Sequence, residues 1–269
     1  MMDLLWFPTG GGKTEAYLLL TAFTIFLRRL RAAGNPSGAG VTTFMRYTLR
    51  LLTIQQFERA AALICACEMV RRGKVKLQEV DLPAHFATDM PISLGLWVGE
   101  GATPNTVSQA EQVLGTEAES SPSQLRSCPC CREVLDWKIS PDKSRVEVRC
   151  LTKSCEVGQE LALLPIWTVD EDVYRERPTL LIGTVDKYAQ ITRNQKTGCL
   201  FGIGTAADSP ELVIQDELHL ISGPLGSLAG LYETAIDELC RSASGVRAKI
   251  IGSTATIRRA EDQIKALFD

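Results

Sequence analysis

The chain alternates between short apolar runs and longer segments whose apolar positions recur with helical spacing. Six apolar runs have the length and content of buried strands, and these are residues 3–7, 41–48, 92–98, 179–183, 212–215 and 249–252. Residues 13–31 and 53–72 show the continuous pattern that is typical of helices. Because strands that alternate with helices usually pair in parallel, the pattern predicts an α/β fold in which helices cover a parallel sheet.

Two stretches depart from this alternation. Residues 99–127 consist largely of small and polar side chains, which is typical of a flexible linker. A cysteine cluster follows, and we predict a small insertion over residues 128–160. The predicted organisation is one lobe in two parts, residues 1–98 and 161–269, which the linker and the insertion separate. Acidic and basic side chains at residues 170–177 are expected to form a solvated helix face.

A length of 269 residues suits one large α/β domain or one domain with an insertion. The 29 basic and 32 acidic side chains give a net charge of −3, which excludes a small, wholly basic nucleic-acid binder but permits a local basic groove. The longest apolar stretch, residues 16–27, is short of the ~20 residues that a membrane-spanning helix needs. With no signal-peptide pattern before the first predicted strand, the nine cysteines favour reduced thiols and a cytoplasmic location.

A glycine-rich loop joins the first predicted strand to the first predicted helix. Glycine lets backbone N–H groups approach a phosphate, and the start of the helix adds a partial positive charge. The order of strand, Gly-Lys-Thr and helix predicts an ATP-binding loop formed by Pro8, Thr9, Gly10, Gly11, Gly12, Lys13 and Thr14. Lys13 is expected to hold the β- and γ-phosphates, and Thr14 is expected to ligate Mg²⁺. The alternative is a flexible turn that happens to precede Lys-Thr.

Two adjacent carboxylates follow the predicted strand at residues 212–215. Asp216 and Glu217 belong to the sequence Asp-Glu-Leu-His, which is a form of the Walker B motif. ATP hydrolysis needs one carboxylate near Mg²⁺ and a second that orients and deprotonates the attacking water. Asp216 fits the first role and Glu217 the second, so Glu217 and Lys13 are the predicted catalytic residues. An exposed acidic turn is the alternative for an isolated pair of this kind.

Five of the nine cysteines lie close together in the predicted insertion. Cys128 and Cys131 frame a Cys-Pro-Cys-Cys knuckle, and Cys150 and Cys155 form a second pair after a predicted hairpin. Four thiolates in two tight turns suit tetrahedral Zn²⁺. The metal would stabilise a small zinc-ribbon-like module whose core is too small to fold unaided. Cys130 competes with Cys131 as a ligand. Alternatively, the clustered cysteines act as small buried hydrophobes.

The loop and the acidic motif together resemble those of superfamily 2 helicases. The usual loop of these proteins reads Ala-Pro-Thr-Gly-x-Gly-Lys-Thr, which is similar to the sequence from Pro8 onward, although Phe7 stands where the general phosphate-loop pattern has glycine. Three further segments resemble helicase motifs Ia, Ib and III, and these are residues 50–55, 183–187 and 254–256.

This resemblance implies a RecA-like lobe with two further sets of site residues. Contacts with a nucleic-acid strand would be made by Arg50, Thr184 and Lys187. The nucleotide state would be coupled to strand binding by His219, Thr254 and Thr256. Each fragment is short, but their order along the chain and their positions after predicted strands match those of the helicase motifs.

At a finer level, residues 46–53 and 215–226 resemble the large bacterial helicases of the DrmA type, which belong to the DISARM defence system against phage. The likeness runs over residues 7–259 and covers only the first motor lobe of such a protein, since nothing here resembles motifs IV to VI. It implies an ATP-dependent DNA helicase or translocase lobe that needs a second RecA-like lobe, in a longer chain or in a partner protein. Alone, such a lobe is expected to be weakly active or inactive as an ATP hydrolase.

Two other function classes are compatible with parts of this pattern. One is a non-catalytic nucleic-acid-binding or assembly module with a structural or regulatory ATP site, against which the presence of both Lys13 and Glu217 argues. The other is a small-molecule kinase or a transport ATPase. That class is disfavoured because its members do not require His219 or the segments similar to motifs Ia and Ib.

Overall fold

A computed structural model of the chain describes residues 2–6, 12–48, 50–75, 80–221 and 223–254. The strands are β1 (Met2–Trp6), β2 (Thr43–Tyr47), β3 (Leu94–Trp97), β4 (Leu135–Ile139), β5 (Val146–Cys150), β6 (Ile166–Trp167), β7 (Leu180–Thr184), β8 (Leu212–Gln215) and β9 (Lys249–Thr254). The α-helices are α1 (Lys13–Ala32), α2 (Arg50–Arg71), α3 (Val107–Val113), α4 (Glu156–Glu160), α5 (Asp170–Glu176), α6 (Val185–Tyr188) and α7 (Gly223–Leu239). Five predicted site residues lie outside the described ranges, namely Pro8, Thr9, Gly10, Gly11 and Thr256.

Seven strands form one parallel sheet in the order β1-β9-β8-β2-β7-β3-β6. Alternate residues of each strand point to opposite faces, so that Met45 and Ile214 lie in one hydrophobic core while Phe44 and Val213 lie in another. The central strands β2, β7 and β8 are buried along their whole length, as expected for a sheet covered on both faces. The predicted α/β fold with a parallel sheet is confirmed, and each of the six predicted strands is present.

The parallel arrangement brings the carboxyl ends of the strands to one edge of the sheet. In the strand register, Trp6 lies opposite Thr254 and Tyr47 lies opposite Thr184. Gln215, the last residue of β8, pairs with both β2 and β9. Segments that resemble helicase motifs begin at these ends, so residues far apart in the sequence meet at one edge.

Helix α1 is held at both ends. Gly12, which precedes the helix, has a φ of 79°, a left-handed conformation that glycine adopts without steric cost. The buried Arg28 guanidinium donates to carbonyl oxygens of the loops that precede β2 and β8, at distances of 2.7 to 2.8 Å. Between these ends, Tyr17, Thr21 and Ile25 form a buried face with four-residue spacing. Neither α1 nor any other helix in the described ranges combines the length and the apolar character needed to cross a membrane.

Residues 99–127, which we predicted to be a flexible linker, contain the helix α3 and pack against the lobe. The helix begins with a capping box, in which the backbone N–H of Gln109 donates to the Thr106 hydroxyl. Val107 and Ala110 are buried in a small core. Periodicity did not reveal this helix because it has only seven residues and its buried side chains are small. The division of the chain into domains stays a prediction.

The cysteine-rich insertion contains an antiparallel hairpin of β4 and β5, in which Leu135 lies opposite Cys150. Val148 on β5 and the thiols of Cys128 and Cys155 belong to the same hydrophobic core as residues of α2. The insertion is therefore packed onto the lobe rather than held away from it.

Candidate functional site

Both predicted catalytic side chains lie at the carboxyl edge of the sheet. Lys13 is the first residue of α1, and Glu217 is the second residue after the end of β8. The Lys13 Nζ lies 3.8 Å from Glu217 Oε1, and the two side chains are 12% and 24% exposed. Glu217 has a φ of 49°, a left-handed conformation that is uncommon for residues other than glycine. Such conformations are found most often at active sites and ligand-binding sites. Thr14 lies beside Lys13 in the first turn of α1 and is half-buried.

Asp216 is held by hydrogen bonds to one of its carboxylate oxygens. Its Oδ1 accepts from the Tyr17 hydroxyl at 3.3 Å, from the backbone N–H of Glu217 at 3.0 Å and from the Ser253 hydroxyl. Burial, reinforced by the charge of Asp216, raises the pKa of Tyr17, so the phenol keeps the proton that it donates. This network fixes the carboxylate that we predicted to lie near Mg²⁺.

Sequence reasoning did not identify Tyr17 and Ser253 as members of this site. Tyr17 lies four residues after Lys13, so helical spacing alone would have placed it one turn along the same face of α1. Ser253 immediately precedes the segment similar to motif III, and its hydroxyl reaches Asp216 because β9 and β8 are neighbours in the sheet.

His219 connects the carboxylate of Glu217, predicted to be catalytic, to β9. Its Nδ1 lies 3.3 Å from Glu217 Oε2 and 3.3 Å from Thr254 Oγ1. Two of the three residues predicted to couple nucleotide state to strand binding are therefore in contact, while Thr256 lies outside the described residues. A change at Glu217 can reach β9 through this single imidazole.

Gln215, a polar residue at the end of the apolar strand β8, connects β8 to β2. Its side chain is fully buried, and Nε2 donates to the carbonyl oxygens of Asp216 at 3.0 Å and Arg46 at 3.4 Å. The backbone N–H of Asp216 also donates to the Arg46 carbonyl, at 3.1 Å. The amide thus continues the pairing of the two strands to the point where the acidic motif begins.

A cleft of about 240 Å³ lies at the carboxyl ends of β2, β3 and β7. It is lined by Thr48, Val98, Gly99, Gly101, Ala102, Thr184 and Asp186. Thr184 is 5% exposed, and its Oγ1 has no hydrogen-bond partner among the described residues. Arg50 begins α2 just beyond β2, so these two predicted contacts with nucleic acid occupy the same edge of the sheet.

Lys187, the third predicted contact with nucleic acid, is not available to a phosphate. Its side chain is 1% exposed, and its Nζ lies 2.7 Å from Asp170 Oδ2. The expectation of a solvated acidic face is also wrong, because Asp170 and Asp172 are 4% and 0% exposed. The physical reason is the same for both errors, since each buried carboxylate has a polar partner from another element: Lys187 for Asp170 and the Val146 N–H for Asp172.

Four cysteines converge in the insertion. The Sγ atoms of Cys128, Cys131, Cys150 and Cys155 all lie within 4.8 Å of one another. Two of the separations are 3.7 Å (Cys128 to Cys155) and 3.6 Å (Cys131 to Cys150). A tetrahedron with Zn–S bonds of about 2.3 Å has S···S edges of about 3.8 Å. The four predicted ligands therefore have the spacing of a zinc site, and Cys130, which is exposed, lies outside the group.

The surroundings of the four thiols act on them in opposite directions. Burial raises the pKa of Cys128 to about 12, whereas a hydrogen bond from the backbone of Glu133 lowers the pKa of Cys131 to about 7. The backbone N–H of Gly158 points at Cys155 Sγ from 3.4 Å. A β-carbon on Gly158 would lie 2.9 Å from the Cys150 carbonyl oxygen, so glycine permits this close approach. Outside this cluster, the two cysteines of α2, Cys65 and Cys67, are buried, as expected for small hydrophobes.

No family model matches this chain. A protein described as DISARM protein DrmA, from Bacillus paralicheniformis, is 37% identical to it over 320 aligned residues. The alignment covers 100% of this chain and 27% of the relative, so the chain spans about a quarter of the length of the protein that it matches. Along its whole length, the chain therefore resembles the DrmA-type helicases.

Proposed function

We propose that this chain is the first motor lobe of an ATP-dependent DNA helicase or translocase that acts in phage defence. A second RecA-like lobe, in a longer chain or in a partner protein, completes the motor. The observation that carries the proposal is the series of contacts that joins Lys13 to Glu217, and Glu217 through His219 to Thr254. The similarity to a DISARM protein, of which the chain spans 27%, supports the setting in phage defence.

The residues present fit ATP with Mg²⁺. The Lys13 ammonium suits phosphate oxygens, while the Thr14 hydroxyl and the Asp216 carboxylate are the oxygen ligands that Mg²⁺ prefers. Bound Mg²⁺ supplies neutralisation of the phosphate charge. When phosphates enter the site, Lys13 leaves Glu217 and pairs with the phosphate oxygens. The Glu217 carboxylate is then free to orient a water molecule and accept its proton. Tyr17 and Ser253 keep Asp216 in place during this exchange.

The strand-binding surface that we propose is the carboxyl edge of β2, β3 and β7, with Arg50 and Thr184 as its contacts. The Thr184 hydroxyl lines the cleft, has no hydrogen-bond partner among the described residues and suits a phosphate or sugar oxygen that enters the cleft. Contacts of this kind do not read bases, so Arg50→Ala should weaken binding to oligonucleotides of all sequences about equally. It should also make the salt dependence shallower by roughly 0.7 for each phosphate that the variant no longer neutralises. Fluorescence anisotropy over a salt series measures both effects.

We further propose that Cys128, Cys131, Cys150 and Cys155 hold one structural Zn²⁺. Four thiolates leave no open position for water, which is the pattern of structural rather than catalytic zinc. Zinc held there joins the loop before β4 to the end of β5 and to the start of α4. Its contribution would be to the folding of the insertion and not to ATP chemistry.

ATP hydrolysis separates the motor proposal from a scaffold with a regulatory ATP site. A positioned arginine from a second lobe is worth ~10³–10⁵ in rate where such arginines have been measured. We expect this chain alone to bind nucleotide and hydrolyse it slowly, and a chain extended by the second lobe to hydrolyse it at least about 100-fold faster with DNA present.

Glu217→Gln is the control in both lengths, because it keeps nucleotide binding and removes turnover. Nucleotide binding without hydrolysis in the extended chain would contradict the motor and support the scaffold. Fast DNA-stimulated hydrolysis by the single lobe would contradict the need for a second one.

A further inference from the structure

The first turn of α5 carries three consecutive carboxylates, and each contacts a different part of the molecule. Asp170 contacts α6, Glu171 contacts α3, and Asp172 contacts the hairpin of the cysteine module, defined as residues 128–160. We infer that α5 is a positioning element that fixes the Thr184 cleft by tying it to the cysteine module. The role of that cleft in strand binding rests on the proposed function above.

On the cleft side, the link runs from Asp170 to Lys187. Both side chains are buried, and their ion pair spans 2.7 Å. The Tyr174 hydroxyl donates to the same Asp170 oxygen at 3.3 Å, and the Trp97 indole N–H donates to that hydroxyl at 3.2 Å. Lys187 lies three residues after Thr184, and Asp186 of the same helix lines the cleft, so the position of α6 sets the position of this wall of the cleft.

On the module side, the link runs through Asp172 and Arg175. The fully buried Asp172 accepts the backbone N–H of Val146, the first residue of β5, at 3.0 Å. Arg175 pairs with Asp172 and donates to the Ser144 carbonyl at 2.6 Å. The turn that joins β4 to β5 is therefore attached to α5 by two polar contacts, one of them without access to water.

A small apolar core completes the attachment. Val107 and Ala110 of α3, Val146 of β5, and Val169 at the start of α5 are packed together. The Val107 backbone N–H also donates to Glu171, at 2.9 Å. Helix α5 is short and contacts α6 through Asp170 and the hairpin through Asp172. A shift of the hairpin therefore moves Asp170, and with it Lys187 and the cleft.

This arrangement distinguishes a positioning role from an independent nucleic-acid-binding role for the cysteine module. β5 is buried at four of its five residues, including Val146 and Val148. The face of β5 that carries Val146 and Val148 therefore packs toward the lobe and is not available to a ligand. The module contacts the lobe on the side that leads to α5, and α5 in turn holds the segment similar to motif Ib.

Hydrogen–deuterium exchange of the full chain tests the link without requiring nucleic acid. Asp172→Ala removes the acceptor of the Val146 N–H. It leaves the ion pair of Lys187 in place, because that pair is formed with Asp170. We expect exchange to rise at residues 146–150 and also, at least fivefold, at residues 184–188. The strand at residues 212–215 should keep its protection and serves as the internal reference. Glu156→Gln, which removes an exposed carboxylate within the cysteine module, should change neither segment.

If Asp172→Ala does not fold, Arg175→Met tests the same link more gently, because this side chain is partly exposed. It should give the same pattern with a smaller rise at residues 184–188. In either variant, a rise confined to residues 146–150 would overturn the inference. A rise spread evenly over the whole chain, including residues 212–215, would also overturn it, because it would reflect general destabilisation.

Anisotropy with a single-stranded oligonucleotide then connects the link to function. We expect Asp172→Ala to weaken strand binding at least fivefold while the affinity for an ATP analogue stays unchanged. A wild-type chain that binds no oligonucleotide would contradict the proposed function but leave the exchange result as the test of the link. Raised exchange at residues 184–188 with undiminished strand binding would overturn the positioning role.

Discussion

The buried ion pair between Arg46 and Glu233 offers a quantitative test of how the sheet and α7 are held together. Arg46 lies in the middle of the sheet, on β2, and its side chain is fully buried, while that of Glu233 is 6% exposed. Two hydrogen bonds of 2.6 and 3.1 Å join them. Burial lowers the pKa of Arg46, but the attraction and hydrogen bonds of Glu233 outweigh burial and raise that pKa above its ordinary value. Removing Glu233 takes this support away and leaves only burial, but arginine is effectively always protonated in proteins, so the guanidinium stays charged at neutral pH.

Glu233→Gln leaves this charge buried with a neutral partner. Breaking one side of a buried pair costs ~3–5 kcal/mol, against a total stability of ~5–15 kcal/mol for a typical domain. The Tyr188 ring, 5.5 Å from the guanidinium carbon, recovers only a part of this loss by a cation–π contact. With a urea dependence of about 3 kcal/mol per molar, a loss of about 4 kcal/mol lowers the unfolding midpoint by about 1.3 M.

Urea unfolding followed by circular dichroism measures this midpoint. The control is the double variant Arg46→Met with Glu233→Leu, which replaces the pair by apolar side chains and should unfold within about 1 kcal/mol of the wild type or be more stable. A midpoint for Glu233→Gln within about 0.3 M of the wild type would refute the reasoning, because the pair would then be dispensable. An equal loss in the single and double variants would instead identify packing as the cause.

Three further outcomes follow from the cysteine module and α5. Metal analysis should give about one zinc per chain in the wild type and in Cys130→Ser, and loss of zinc in Cys155→Ser; equal zinc in the two variants would contradict the ligand set. Gly158→Ala brings a methyl group within 2.9 Å of the Cys150 carbonyl oxygen, so differential scanning fluorimetry should show a melting temperature lower by about 2–10 °C, and an unchanged one would mean that α4 shifts freely. Burial raises the pKa of Asp172 from 3.8 to about 6, so its contribution to stability is full below pH 3.8 and is lost as the pH rises through 6. Relative to Asp172→Asn, the wild type should therefore lose urea stability between pH 4 and pH 7, whereas parallel profiles would refute this sign.

Features that depend on neighbouring residues could be predicted from this sequence. β8 is a four-residue apolar run, and Asp216 and Glu217 follow it directly. Their approach to Lys13 follows from one topological rule, because parallel strands place their carboxyl ends at the same edge. The four cysteines of the insertion were also identifiable, since tight turns and a hairpin bring two pairs together whatever the rest of the chain does.

Features that depend on distant partners could not be predicted. Lys187 lies in a segment similar to motif Ib, but its burial is set by Asp170 on another helix, which sequence spacing does not report. Arg46 reads as one polar residue in a strand until α7, 187 positions later, supplies Glu233. Asp172 looks solvated for the same reason, because its partner is a backbone N–H of the hairpin. The spacing of apolar residues indicates which face of a helix or strand is buried. The partner that compensates a buried charge depends on the tertiary structure.

The central claim is that the edge carrying Lys13 and Glu217 is a site for ATP with Mg²⁺. Its most direct test is the equilibrium titration of the chain with a fluorescent ATP analogue and Mg²⁺, for the wild type, Lys13→Ala and Lys249→Ala. Lys249 is the matched control, since it begins β9 at the opposite edge of the sheet and pairs with Asp3 on the surface. We predict saturable binding to one site, an affinity at least about tenfold weaker in Lys13→Ala, and no change in Lys249→Ala. Equal affinities of the wild type and Lys13→Ala would contradict this claim.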